Sequence, residues 1–154
     1  MFVVKVMQEY FSRCEPIFTI STAAKLLGIS VHTLRMYERE GLIIPFKKNS
    51  NQRLYSNKDI ERIQCVRKAI NESKISINGI KAIYSLIPCS KLNNCSEVER
   101  ESCKAFIENE QACWSYKDHN SFCKDKDCFQ CDVYKNYSAC SSIKELLNKM
   151  KRDK

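Results

Sequence analysis

Apolar residues recur every three or four positions through most of this chain, a period that predicts a mainly helical fold. Val3, Val4, Met7, Tyr10 and Phe11 fall on one face of an N-terminal helix. Ala24 and Leu27 share a face of a short helix that Ser21 can cap and Gly28 ends, because a glycine just past the last turn can take the left-handed conformation. Ser30 caps a second helix from Val31 to about Glu40, with Val31 and Leu34 inward and Gly41 closing it. The period then changes. Leu42, Ile43 and Ile44 read as a short apolar strand, Pro45 breaks it, residues 47–52 turn, and Arg53, Leu54 and Tyr55 return as the second strand. Ser56, with Asp59 three residues on, opens a third helix striped by Ile60, Ile63, Val66 and Ile70. Ser76 opens a fourth, striped by Ile77, Ile80, Ile83, Tyr84 and Ile87 and ended by Pro88. Ile143, Leu146, Leu147 and Met150 predict a last amphipathic helix over residues 141–154.

Two short helices joined by a tight glycine turn, followed by a hairpin, form a winged helix–turn–helix, which implies a DNA duplex as partner. On the second helix Thr33, Arg35, Tyr37 and Arg39 are left facing outward, and the hairpin adds Lys47, Lys48, Arg53 and Tyr55 as phosphate donors. For Tyr37 and Tyr55 the competing expectation is packing between helix and wing, since tyrosine commonly does both jobs. His32 has no second ligand nearby and serves the helix start or the surface. Charge supports a nucleic-acid partner. Residues 1–88 carry 14 Lys and Arg against 7 Asp and Glu, whereas residues 89–154 carry 12 against 11, so the excess of +8 lies almost wholly with the helix–turn–helix. Such a surface releases condensed counterions on meeting phosphates.

Residues 18–88 resemble the DNA-binding domain of the MerR family of bacterial transcription regulators. The resemblance rests on TAAKLLGISVHTLRMYEREGLI, then RLYSNKDIERI, then INGIKAI, in that order and spacing. Within the family it is most similar to the heat-shock-repressor branch, through the arginine–x–tyrosine–serine wing end and the NGIKAI stretch of the fourth helix. The resemblance implies that Thr33 and Arg35 address the DNA and that Tyr37, Arg53 and Tyr55 grip its backbone. It also implies double-stranded DNA, a second copy of the chain and RNA polymerase at the promoter as partners. Family members pair through a long helix after the fourth; no long uninterrupted heptad follows here.

Ten cysteines remain to be explained. Lys5 interrupts the apolar start, no small-residue cleavage site follows, and no apolar run approaches the roughly 20 residues of a membrane span. The expected compartment is therefore the cytoplasm, where a disulfide framework is disfavoured. Cys14 and Cys65 lie in the basic half, Cys65 reading as a small buried hydrophobe. Eight follow the fourth helix: Cys89, Cys95, Cys103, Cys113, Cys123, Cys128, Cys131 and Cys140. Large aliphatic and aromatic residues other than tyrosine number 12 of the 66 residues in this half, too few for a core of its own, which calls for a staple. In a reducing compartment that staple is a metal, and thiolates suit zinc or an iron–sulfur cluster. Cys128 and Cys131 form the one close pair, and Cys113 and Cys123 complete a first ligand set. Cys89, Cys95 and Cys103 form a second set of three, to be closed by Cys140, His119 or an external ligand. A metal-free thiol switch is the remaining alternative. The spacing differs from the C-x2-C-x-C-x5-C grouping of the superoxide-sensing branch. Ser96 and Glu99 signal a helix over residues 97–112.

The expected organisation is an N-terminal helical extension (1–17), a winged helix–turn–helix domain (18–88), a small cysteine-rich, helix-containing domain (89–140) and a C-terminal helix (141–154). The expected function is a dimeric, sequence-specific transcription regulator whose cysteine domain senses a metal or redox state. The alternatives are a cluster-carrying redox protein, or a structural zinc module, with DNA binding as an accessory. No phosphate loop, catalytic triad or paired carboxylate stands out, so an enzyme is not expected.

Overall fold

A computed structural model describes residues 13–116, 123, 127–136 and 148. The N-terminal helix expected before residue 13 and the C-terminal one over 141–154 fall outside the described residues, as do His119 and Cys140. The described chain is mainly helical and forms two compact units, Met1–Cys65 and Val66–Lys154. The units meet within the third of the four helices read from the sequence, whereas the sequence boundary followed Pro88.

The first unit is built on a small antiparallel sheet in the order β1-β3-β2. Strand β1 (Phe18–Thr19) pairs Phe18 with Tyr55 and Thr19 with Leu54 of β3 (Arg53–Tyr55). Strand β2 (Phe46–Lys47) pairs with the other edge of β3. Pairing with β3 holds Thr19 extended. Its hydroxyl therefore accepts from the Thr22 amide at 3.3 Å and caps α1 (Ile20–Leu27), in place of the expected Ser21. Ala23, Ala24 and Leu27 form the buried face of α1. Gly28, at φ 62°, closes it through bonds from Gly28 N to Lys25 O and from Ile29 N to Ala24 O. A Cβ at Gly28 would meet open space, so Gly28→Ala should cost backbone strain alone, about 1–2 kcal/mol, read as a lowered unfolding temperature of this unit.

Ser30 caps α2 (Val31–Arg39) by accepting from Thr33 N at 3.0 Å. Leu34 of α2 is fully buried against α1. The wing starts later than its sequence suggests. Leu42 and Ile43 are buried core side chains outside any strand, and the first wing strand is Phe46–Lys47, after Pro45. The Leu42 amide returns to Tyr37 O, which turns this apolar run inward against the end of α2. The capping box of Ser56 and Asp59 opens α3 (Asn57–Asn71), with Ser56 N donating to the Asp59 carboxylate at 2.8 Å. Cys65 is half-buried and disulfide-bonded, so it is not the inert core thiol expected.

In the second unit Ser76 caps α4 (Ile77–Ser85) by accepting from Gly79 N at 3.0 Å. Short helices follow: α5 (Cys89–Leu92), α6 (Glu97–Glu101) and α7 (Lys104–Glu108), then 3-10 turns at Cys113–Tyr116 and Cys128–Gln130, and α8 (Asp132–Asn136). The capping box of Ser96 and Glu99 is present, but the helix expected over 97–112 is broken. The Ser102 hydroxyl bonds back to the Val98 and Glu99 carbonyls, and Cys103 is extended, so α7 starts afresh. This unit has a core after all, one that tyrosine supplies. The Trp114 ring packs 5.6 Å from Tyr84 and edge-on, 5.2 Å, to Tyr134; Tyr116, Val133, Ala105 and Ala112 are buried with it.

Candidate nucleic-acid interface and cysteine cluster

The outward-facing residues of α2 and the wing separate into two groups. Arg35, Arg39, Lys47 and Lys48 are exposed, and Thr33 is half-buried beside its cap. Tyr37 and Tyr55 are instead core side chains, 6% and 0% exposed, which matches the packing expectation for them. Both functional groups at the wing's return strand turn toward α2. Arg53 Nε donates to Glu38 Oε2 at 2.7 Å, and the Tyr55 hydroxyl donates to Glu38 Oε1. Burial first, and then this bond to a carboxylate, push the Tyr55 phenol well above its ordinary range, so it stays a donor. One acidic side chain on α2 therefore holds both the base and the inner face of the wing. Glu38 was missed in the sequence. The available signal was an acidic residue set among the cations of α2, opposite an Arg-x-Tyr strand.

The electrostatic result is directional. With Arg53 neutralised by Glu38, the cations left free to face outward are those of the α2 surface and the wing start. Among the described residues no helix is long and apolar enough to cross a membrane.

The second candidate site lies in the cysteine-rich unit, and it combines members of the two expected sets. The Cys113 thiol hydrogen-bonds to the Cys89 sulfur, which lowers the Cys89 pKa to about 7 despite its partial burial. Cys113 itself is pushed up, by that bond, by burial and by the neighbouring Cys89, Cys131 and Cys123. Asn93, just past α5, donates its amide N–H to Cys123 Sγ at 3.8 Å and accepts from Cys131 Sγ at 3.9 Å. A cavity of about 20 Å³, room for about one water-sized body, is lined by Cys89, Cys95, Cys103, Cys113 and Cys123 among others. Cys128, half-buried, starts the 3-10 turn that Cys131 follows. Among the described residues no three His, Cys, Asp or Glu side chains converge at ligand distance on one point.

Comparison with known proteins gives a consistent picture for the first half. The profile of the MerR HTH family regulatory proteins matches residues 18–86. A protein of Streptomyces coelicolor named as heat shock protein HspR is 39% identical over 71 residues, 46% of this chain and 47% of that protein. A ZntR homolog of Haemophilus influenzae, named as an HTH-type transcriptional regulator, is 38% identical over 47% of this chain and 53% of its own length. A second protein of that organism, named as a heavy metal-dependent transcriptional regulator, is 37% identical over 52% of this chain and 62% of its own length. The chain spans about half the length of the first two of these relatives, and the matched segments cover about half of the chain. No solved structure matches.

Proposed function

Because residues 18–86 form a MerR-family helix–turn–helix domain, we propose that the chain is a transcription regulator that reads double-stranded DNA as a dimer and senses a metal or redox state through its cysteine-rich unit. The observation that carries the DNA reading is the set of outward cations, Arg35 and Arg39 on α2 with Lys47 and Lys48 at the wing, on a helix fixed by Ser30 and Glu38. A helix anchored at both its cap and its far turn presents side chains in one register, which base recognition in the major groove requires. Wing lysines contribute sequence-independent phosphate contacts beside it.

The regulatory part rests on chain order within the second unit. Cys89 begins α5 directly after Pro88, three residues past the end of α4. Binding at the cysteines would order that junction and so select the spacing at which two readers fit a pair of half-sites. Names of relatives add support, since one is described as heavy metal-dependent. RNA polymerase at the promoter would be the downstream partner.

Selection of duplexes from a random pool, followed by fluorescence anisotropy on the enriched sequence, tests the reading. The wild-type chain should enrich a motif repeated with two-fold symmetry. Arg35→Ala should weaken binding to it roughly tenfold or more and relax preference at one position, whereas Lys48→Ala should weaken all sequences alike and flatten the salt dependence by about one ion. Absence of any enriched motif, or an Arg35→Ala variant with unchanged affinity, would overturn it.

A further inference from the structure

We propose that the thiol-lined cavity of the second unit is a peroxide-reactive site, at which hydrogen peroxide joins Cys89 to Cys113 as a disulfide. The proposal deepens the sensing reading above by naming the signal and the pair that takes it up, and it rests on that reading only for its effect on DNA binding.

Three observations carry it. The first is the wall of the cavity. Cys89, Cys95, Cys103, Cys113 and Cys123 line one space of about 20 Å³, and each is half-buried and outside any disulfide. Two sulfurs suffice for a disulfide, whereas among the described residues no three His, Cys, Asp or Glu side chains form a group that could hold a metal ion. The second is packing. Trp114 directly follows Cys113, and its ring lies 5.6 Å from that of Tyr84 near the end of α4. Beyond Tyr84 the chain folds back tightly, with bonds from Ile87 N to Tyr84 O and from Cys89 N to Ile87 O, so Cys89 stays beside that end of α4. Ring packing and cavity together thus bring to one place two cysteines that lie 24 residues apart. The third is Asn93. Its amide stands between Cys123 and Cys131, donating to the first sulfur at 3.8 Å and accepting from the second at 3.9 Å, which engages those two thiols elsewhere.

The size of the cavity selects the oxidant. It admits about one water-sized body, which hydrogen peroxide approaches in size and bulkier oxidants exceed. In the first step an electron pair of one thiol sulfur attacks a peroxide oxygen and the O–O bond breaks; hydroxide leaves and takes the thiol proton, giving a sulfenic acid and water. In the second step the other sulfur attacks the sulfenic sulfur and the S–O bond breaks; the hydroxyl leaves with the second thiol proton as another water, and the S–S bond is formed. Two thiols are oxidised to one disulfide, and one peroxide is reduced to two waters. The bond closes a loop that holds α6 and α7 and ties the residue after Pro88 to the one before Trp114. It therefore fixes the exit of α4, which Tyr84 already joins to Trp114.

The test uses the full chain, reduced, treated with a chelator and then exposed to hydrogen peroxide with no other oxidant present. Remaining thiols are alkylated, and a digest is mapped by mass spectrometry without reduction. The expected result is a peptide pair joined through Cys89 and Cys113, lighter than the two free peptides by two hydrogens, with Cys95 and Cys103 alkylated. In at least one of Cys89→Ser and Cys113→Ser the thiol that attacks peroxide has lost its partner, and dimedone should trap its sulfenic acid. The wild-type map decides the matter even where a variant fails to fold. Cumene hydroperoxide, too large for the cavity, should oxidise the pair far more slowly. Cys89 and Cys113 left as thiols, or either of them joined to a different cysteine, overturns the assignment, and equal rates from the two peroxides overturn the cavity as the site. A chain that forms the bond but binds DNA alike in both states leaves the site standing and removes the sensing role instead.

Discussion

Glu38→Ala should lower the stability of the wing against α2 by about 3 kcal/mol, the range found when one partner of a largely buried charged pair is removed. Glu38 is 9% exposed at its side chain and serves two donors at once. Its loss leaves the fully buried Tyr55 hydroxyl without an acceptor, which alone costs about 1–3 kcal/mol. Arg53 is better placed, at 37% exposure, because water can replace part of what it loses. Glu38→Gln keeps the shape and one acceptor, so it should retain more than half of the stability lost in the alanine variant. Urea titration followed through the amide signals of Lys47 and of β3 measures both. DNA affinity of Glu38→Ala should fall although no outward cation has been touched. Equal wing stability in the wild type and both variants would show that Glu38 anchors nothing.

Trp114→Ala should lower the stability of the cysteine-rich unit by about 4 kcal/mol, as expected for deleting a large buried aromatic. The loss is close to the whole stability of a small domain, so this unit should be largely unfolded near 37 °C. The ring touches Tyr84 of α4 on one side and Tyr134 of α8 on the other, so its removal separates the two ends of the unit together. Trp114→Phe retains a ring of smaller size and should cost about 1–1.5 kcal/mol. Because this is the chain's single tryptophan, near-ultraviolet dichroism of the tyrosines, rather than fluorescence, reads the variants. An unchanged urea midpoint in Trp114→Ala would place the core elsewhere.

These features were unequally legible in the sequence. Caps at Ser30, Ser76, Ser56 with Asp59 and Ser96 with Glu99 were readable because a cap is a contact between residues three apart. Thr19 was not, since it caps α1 only because a strand from residues far ahead holds it extended. A run such as Leu42, Ile43 and Ile44 has the same apolar signal whether it becomes a strand or fills a core, and here it does the latter. Counting apolar mass without tyrosine hid the core around Trp114, in which Tyr84, Tyr116 and Tyr134 take part. The outward cations of α2 were visible from helical period, whereas the turn of Arg53 and Tyr55 toward α2 follows a tertiary partner, Glu38. Cysteine spacing carried the least. It favoured neighbours such as Cys128 and Cys131, while the fold sets Cys89 against Cys113.

The central place of β3 in the sheet bears on how the protein is made. Phe18 and Thr19 leave the ribosome early, yet their strand partners Tyr55 and Leu54 come much later, after both helices of the reader. Until β3 emerges, α1 lacks the strand it packs on, and α2 lacks the Arg53 and Tyr55 that clamp Glu38. Translation of the wing's return strand is therefore the event that sets the reader. A pause just before it would hold the nascent chain in a state with helices but without a rigid recognition surface.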